Sequence, residues 1–282
     1  MLFGHGGVAD YRGQNNMYSV MLSAPGYQFS VLTSDTDFLL PTPKLVHGSF
    51  FTKAAWTARG ISGALYGIAS DASEVAFRVI NVTNGSVIAH RQGVWQQWWE
   101  DGIRAYYKQS TVYVRANGFE VNATRKPIYH LVKGPSQWRF DIAMRKLDDT
   151  GKFEHLHGKS SSTCFPHGII GQSWDGDNMK VNGAVDDYNN DTTSEMTTTA
   201  QAEGAIEGTF ADYLTEQPHN TSFGPFARFH KSLDSVCAPR RVATLHGSKH
   251  TTDGSEMMSS THSDLEDIVA RRKAYRRQLT SS

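Results

Sequence analysis

The chain has 282 residues, 39% of them hydrophobic, with 28 basic and 28 acidic side chains and a formal net charge of zero. The length allows one large β domain or two smaller ones, and the balanced charge gives no global attraction to nucleic acid or to an anionic membrane. No apolar run approaches the ~20 residues of a membrane-spanning helix, so no transmembrane segment is read.

Met1-Leu2-Phe3-Gly4-His5-Gly6-Gly7 carries no basic leader and no long apolar stretch, so no signal peptide is read there. The chain starts inside a β motif, which reads as a fragment or an N-terminally truncated sequence. Up to about residue 180 the pattern is short strands punctuated by turns. Tyr18 to Leu22, then Pro25-Gly26, then Phe29 to Leu32 is strand, turn, strand. Val75 to Val82 leads through Asn84-Gly85 to Ser86 to Ala89. Thr111 to Arg115 leads through Asn117-Gly118 to Phe119 to Asn122. Asn-Gly suits the positive φ angles of a two-residue hairpin turn. Trp138, Phe140, Ile142 and Met144 alternate with Gln137, Arg139, Asp141 and Ala143, the pattern of a strand with one face in a core.

From Thr192 the texture changes. Ala202, Ile206, Phe210 and Leu214 fall at helical spacing, but Gly204 and Gly208 interrupt them. The expectation is a short helix or irregular segment, with a strand over Thr209 to Leu214 as the alternative. Residues 233–263 read as a disordered linker rich in Ser, Thr, His, Gly and Met. Residues 264–282 read as a charged helical tail, introduced by the capping box Ser263-Asp264-Leu265-Glu266. The tail is either a solvated helix or one that docks on an acidic surface. The expected fold class is therefore all-β: an antiparallel, hairpin-rich, sandwich-like module over residues 1–232. A short helix after the Asp-rich loop and a C-terminal tail helix complete it.

Only Cys164 and Cys237 are present. They make one bridge or stay as two thiols; two cysteines cannot build a disulfide framework. The glycosylation pattern Asn-x-Ser/Thr begins at Asn81, Asn84, Asn122, Asn190 and Asn220. Adjacent Asn81 and Asn84 would rarely both be used, which leaves Asn81, Asn122, Asn190 and Asn220 as the candidate acceptors.

The densest concentration of chemistry is His167-Gly168-Ile169-Ile170-Gly171-Gln172-Ser173-Trp174-Asp175-Gly176-Asp177, followed by Asp186 and Asp187. An apolar strand end runs into a turn crowded with carboxylates. Oxygen ligands on a Gly-bent loop are what a hard cation such as Ca²⁺ needs. The spacing is not that of an EF-hand, whose sixth loop position is Gly; counted from Asp175 that position is Lys180. The plain alternative is a solvated Asp-Gly turn.

This segment resembles the Gly-Leu-Cys-Gly-Asn-x-Asn/Asp-Gly-Asp signature of von Willebrand factor type D domains. The run from Phe3 through Tyr11-Arg12-Gly13, with Tyr18 to Leu22 and Phe29-Ser30-Val31, is similar to the opening of the same domains. A related Gly-Ile-Gly-Gln-like turn occurs in the C-terminal domains of inter-alpha-trypsin inhibitor heavy chains. The match spans roughly residues 3 to 230. The resemblance implies a non-enzymatic binding, adhesion or matrix-assembly module in an extracellular or cell-surface setting, with a protein or glycan partner. It implies Ca²⁺ at Asp175 and Asp177, with Asn182, Asp186 and Asp187 where further oxygen ligands are expected. Two family cysteines are replaced, by Asn15 and Ile170, so packing is expected where relatives use disulfides. The Gly-Asp-Pro-His lead-in is missing.

Two other function classes compete. Trp95, Trp98 and Trp99, near Tyr106 and Tyr107, form a cluster that would stack on sugar rings in a carbohydrate-binding β-sandwich, or else pack a core. A metal-dependent hydrolase would use His155, His157 and Glu154, with His130 or His167. Gly171-Gln172-Ser173-Trp174-Asp175 misses the last Gly of a nucleophile elbow. The chain is therefore not read as an enzyme. No phosphate-binding Gly loop or interleaved basic and aromatic strip supports a nucleotide or nucleic-acid partner.

Overall fold

The computed structural model describes residues 1–3, 6–41, 44–146, 166–174, 179–189 and 193–232. These residues fold as an all-β structure. A first run of strands, β1 (Tyr18–Ala24), β2 (Tyr27–Leu39), β3 (Leu45–Arg59), β4 (Leu65–Asp71), β5 (Ala76–Asn81) and β6 (Val87–Gln92), makes an antiparallel meander. A second sheet comprises β7 (Gln96–Glu100), β8 (Ile103–Lys108), β9 (Thr111–Ala116), β10 (Phe119–Pro127) and, after the short β11 (Leu131–Lys133), β12 (Trp138–Lys146). Its order is β12-β10-β9-β8-β7. β11 joins β2 of the first sheet, β13 (Glu195–Thr197) runs parallel to β3, and β14 (Leu214–Thr215) borders β1.

The turns follow from their residues. Asn117 (φ 49°) and Gly118 (φ 80°) both take positive φ, as a tight hairpin requires, and join β9 to β10 as expected. Gly26 (φ 70°) follows Pro25 in the turn from β1 to β2. The Asn117 side-chain amide also donates to the carbonyls of Gly26 (2.7 Å) and Arg59 (3.0 Å), which pins the hairpin of one sheet to the other.

The two sheets share one hydrophobic core. Tyr27, Phe29, Trp56, Ile68 and Val79 from the first meet Ala105, Tyr107, Val114, Val121 and Phe140 from the second. Tyr27 lies parallel to Phe119 at 5.9 Å and donates its hydroxyl to Val114 O at 3.0 Å. Tyr66 meets Trp98 at 5.5 Å. The expected alternation in β12 holds at Phe140 and Met144, which are buried, and at Asp141 and Ala143, which are exposed.

The centre of the first sheet departs from one-sided patterning. Gln28, Ser30 and Thr57 are as buried as Tyr27 and Phe29 on the other face. The cover is the chain after residue 209. Gln28 donates to Asn220 O, Thr57 bonds the His219 ring, and Gly67 lies so close to His219 that a Cβ would come within 2.8 Å of it. Gln28 Nε2 and Thr57 Oγ1 are hydrogen-bonded there, which offsets part of the cost of burying the face, while Gln28 Oε1 and Ser30 Oγ are buried without a partner.

The expected helix near residues 202–214 does not form. Ala202, Gly204 and Gly208 all take left-handed φ (63°, 82° and 72°), which an α-helix cannot contain. The segment is turns, then a 3-10 turn at Phe210–Tyr213 capped by Thr209 and Asp212, then β14. The periodic side chains still point inward: Ile206, Phe210 and Leu214 all join the core. The residues expected as linker (233–263) and tail helix (264–282), with Cys164, Cys237 and Asn190, lie outside the described residues.

The faces of the second sheet give a direct test. Trp98 is buried against Tyr66 while Trp99, one residue on, is 77% exposed. Trp98→Ala is expected to lower unfolding free energy by about 3–5 kcal/mol. Trp99→Ala is expected to stay within ~0.5 kcal/mol of the parent in the same urea titration.

Candidate functional site

The turn at residues 167–174 is a structural dock as well as a prospective loop anchor. β14 covers β1 only at Tyr18 and Ser19. Further along the same strand, Ser23 exchanges two backbone bonds with His167, Ile169 N–H donates to Val20 O, and Ile170 N–H donates to Met21 O. The expected strand end is thus a single bridge at His167 followed by a turn and a 3-10 segment, Gly171–Ser173. Gly168 is dictated by contact with backbone, and Gly171 packs against the end of the Leu22 side chain. Gly168 has φ 102°, and a Cβ there would lie 2.7 Å from the Met21 carbonyl carbon; at Gly171 it would lie 2.8 Å from Leu22 Cδ1. Gln172 holds the turn together. Its Nε2 donates to Gly168 O (3.0 Å), and its Oε1 accepts from Glu207 N–H (2.7 Å).

Two residues weighed as catalytic serve this dock. The Ser173 hydroxyl donates to Ile170 O at 2.7 Å. The His167 ring accepts from Gly168 N–H at Nδ1 and meets the Glu207 carboxylate at Nε2 (3.1 Å). It stacks on Phe226 with centroids 4.5 Å apart and planes within 6°. His155, His157 and Glu154 lie outside the described residues, and His130 sits in an exposed turn with φ 55°.

Of the prospective Ca²⁺ ligands, Asp175 and Asp177 lie outside the described residues; Asn182, Asp186 and Asp187 are placed. Asn182 Oδ1 accepts from Val8 N–H at 3.1 Å. Asp187 is exposed and closes a local turn by accepting from Asn189 N–H. Asp186 is the informative one. Its Oδ1 accepts from Thr199 N–H (2.7 Å) and Ala200 N–H (3.2 Å), while its Oδ2 is buried with no hydrogen-bond partner. Its own N–H donates to Asp10 Oδ2 at 2.9 Å. Asp10 and Asp186 both face Tyr188, whose phenol is pushed up by burial first and by these two carboxylates second. Asp10 was not among the expected ligands. The signal was its place in the opening run Val8-Ala9-Asp10-Tyr11, which the fold brings against 182–186. Among the described residues no group of three or more His, Cys, Asp or Glu side chains is gathered as a closed metal site.

The tryptophan cluster separates. Trp98 belongs to the core, whereas Trp95 and Trp99 are 64% and 77% exposed. A three-ring platform is therefore not what the sheet presents. Of the candidate glycosylation sites, Asn81 is half-buried, Asn220 is exposed, and Asn122 is 8% exposed within β10.

An open cleft on the first sheet is lined by Arg12, Asp35, Asp37, His47 and Lys133. Here His47 Nδ1 meets Asp37 at 2.8 Å and Nε2 meets Glu195, so the ring bridges β2, β3 and β13. The Glu195 bond first, and the Asp37 bond second, raise the His47 pKa.

No family model, curated protein or solved structure matches the chain. The fold and the geometry of its turn and loop define the class as an all-β protein of two sheets.

Two outcomes follow from this geometry. Gly63 has a left-handed φ like Gly168, but open space around it. Gly63→Ala is expected to cost about 1 kcal/mol of strain, and Gly168→Ala distinctly more, because a backbone contact adds to the strain; urea unfolding compares them. The His47 bridge carries a pH signature. A base whose folded pKa is raised stabilises fully below its unfolded value, ~6.5, and loses that contribution as pH rises through the folded value. His219 has the opposite sign, since burial lowers its pKa to about 4, so its contribution fades as pH falls below ~6.5. In thermal melts from pH 6 upward, the difference between parent and His47→Ala is expected to shrink; a constant difference contradicts the bridge.

Proposed function

We propose that the chain is a non-enzymatic β-sandwich module of the von Willebrand type D kind, acting by binding or adhesion in an extracellular or cell-surface setting, and stiffened by Ca²⁺. One observation carries the cation part. Asp186 Oδ2 is buried without a partner beside Asp10, on the strap that ties the N-terminal run to the loop. A buried unpaired carboxylate oxygen is costly, and a cation would remove that cost. Asp10 and Asp186 would supply hard oxygen ligands from one side. Asp175 and Asp177, which follow Trp174 in sequence, would add theirs, with Asn182 and Asp187 as further oxygens. Bound Ca²⁺ would neutralise the like charges of these carboxylates.

The binding role, rather than catalysis, draws support from the use of the candidate nucleophile and base. Ser173 and His167 spend their polar atoms inside the dock on β1.

Thermal unfolding in EDTA and then in millimolar Ca²⁺ tests the proposal. A ligand at 100 times its Kd adds about 2.7 kcal/mol, which for a domain of this size raises Tm by roughly 5–10 °C. The rise is expected to vanish in Asp175→Ala/Asp177→Ala and to fall in Asp10→Asn. An unchanged Tm would remove the cation from the account.

A further inference from the structure

Residues 216–222 form a flap over the polar face of the first sheet. The flap is fixed at one end by β14 on β1, and at the other by Phe226, packed on the core, and Phe229, which is buried. Among the described residues, two hydrogen bonds join it to the strands it covers. Gln28 Nε2 donates to Asn220 O (2.8 Å), and Thr57 Oγ1 bonds His219 Nδ1 (3.0 Å). The register sets Gln28, Thr57, Gly67 and Ile80 side by side across β2, β3, β4 and β5. The His219 ring enters the gap that Gly67 leaves in this row. A Cβ at Gly67 would lie 2.8 Å from both Cε1 and Nε2 of the ring and 2.9 Å from Ile80 Cγ1. The face under the closed flap is not fully satisfied: Gln28 Oε1 and, in the next row, Ser30 Oγ are buried without a partner. Water would satisfy both, so opening removes a cost that closing imposes.

We propose that residues 216–222 are an acid-released flap, in which protonation of His219 drives the ring out of its slot and opens the polar face of β2 and β3 to water. The groups around the ring give it no counter-charge. Thr57, Gly67 and Ile80 do not ionise. The charged side chains in the rows on either side are Arg59 of β3 and Arg78 of β5, both cations. One row further, Lys53 and Asp71 pair with each other at 3.5 Å. On the flap and its exit, Glu216 is exposed, and His230 bonds Thr221 (2.7 Å) and approaches Arg59 Nη2 (3.4 Å). An imidazolium in this slot would lose hydration and meet no carboxylate, which is the setting for a histidine switch. In keeping with this, burial lowers the His219 pKa to about 4. A base whose pKa is lowered on closing favours the closed state in full above its ordinary value, 6.5, and progressively less as pH falls from there towards about 4.

The test is solvent exchange of the Gln28 side-chain amide, followed by NMR on the full chain at pH 7 and pH 5. Each rate is divided by that of the exposed Gln97 side-chain amide, so that the intrinsic pH dependence of exchange cancels. Protection of the Gln28 amide is expected to fall by about tenfold or more between the two pH values, while the backbone amides of Phe29 and Val31 keep theirs. In His219→Gln, whose side chain does not titrate, the fall is expected to disappear. In Gly67→Ala, which fills the slot, protection of Gln28 is expected to be low already at pH 7. The parent and His219→Gln decide the question whether or not Gly67→Ala folds. Equal protection of Gln28 at both pH values overturns the proposal. So does a fall shared equally by Phe29 and Val31, which would be opening of the whole sheet, or a fall that persists in His219→Gln.

Discussion

The exposed edge of β1 is the constraint on which the rest of the molecule depends. A bare strand edge offers unpaired carbonyls and amides to any passing strand. In this chain two segments far apart in sequence close it: Leu214-Thr215 over its first half and His167 to Ile170 over its second. The second closure needs a backbone approach so tight that Gly168 has no room for a side chain. Docking the turn there places Trp174, after which Asp175 and Asp177 follow in sequence. A strap, Asn182 to Asp186, lies against Val8 and Asp10.

The dock also organises the layer over the first sheet. Gln172 accepts from Glu207 N–H, Tyr213 donates to Glu207 O, and the rings of His167, Tyr213 and Phe226 pack against one another as a near-parallel trio. This aromatic stack holds the segment that covers Gln28, Ser30 and Thr57. A polar sheet face is thus buried by backbone and histidine, while the opposite face meets the second sheet through Tyr27, Phe29 and Trp56. The two faces are buried by different chemistry.

How much of this was legible follows from the range over which each signal acts. Asn117-Gly118 declares its hairpin because two adjacent residues carry the whole conformational requirement. The alternation of Trp138 to Met144 declares its inward face for a similarly local reason. The first sheet hides its second buried face, since Gln28 and Ser30 look like solvent positions until residues 210–229 cover them. The helical spacing of Ala202, Ile206, Phe210 and Leu214 reflects shared inward direction across turns whose φ angles exclude a helix. At the site, Asp186 was legible as a possible ligand from its carboxylate neighbours. Asp10 was not, because only the fold brings it to Asp186. The tryptophans were legible as a cluster but not as members of opposite faces; a one-residue step in β7 decides that Trp98 packs inside and Trp99 stands outside.

The most direct measurement is native-state hydrogen exchange at the amides of Ile169 and Ile170, compared with those of β1 and β2. If the turn is part of the sheet edge, both amides exchange only on global unfolding, with the free energy of the strand they bond. Exchange of these amides orders of magnitude faster than that of Val31 or Phe29 would mean that the turn opens independently, and would contradict the closure of β1 as the organising constraint.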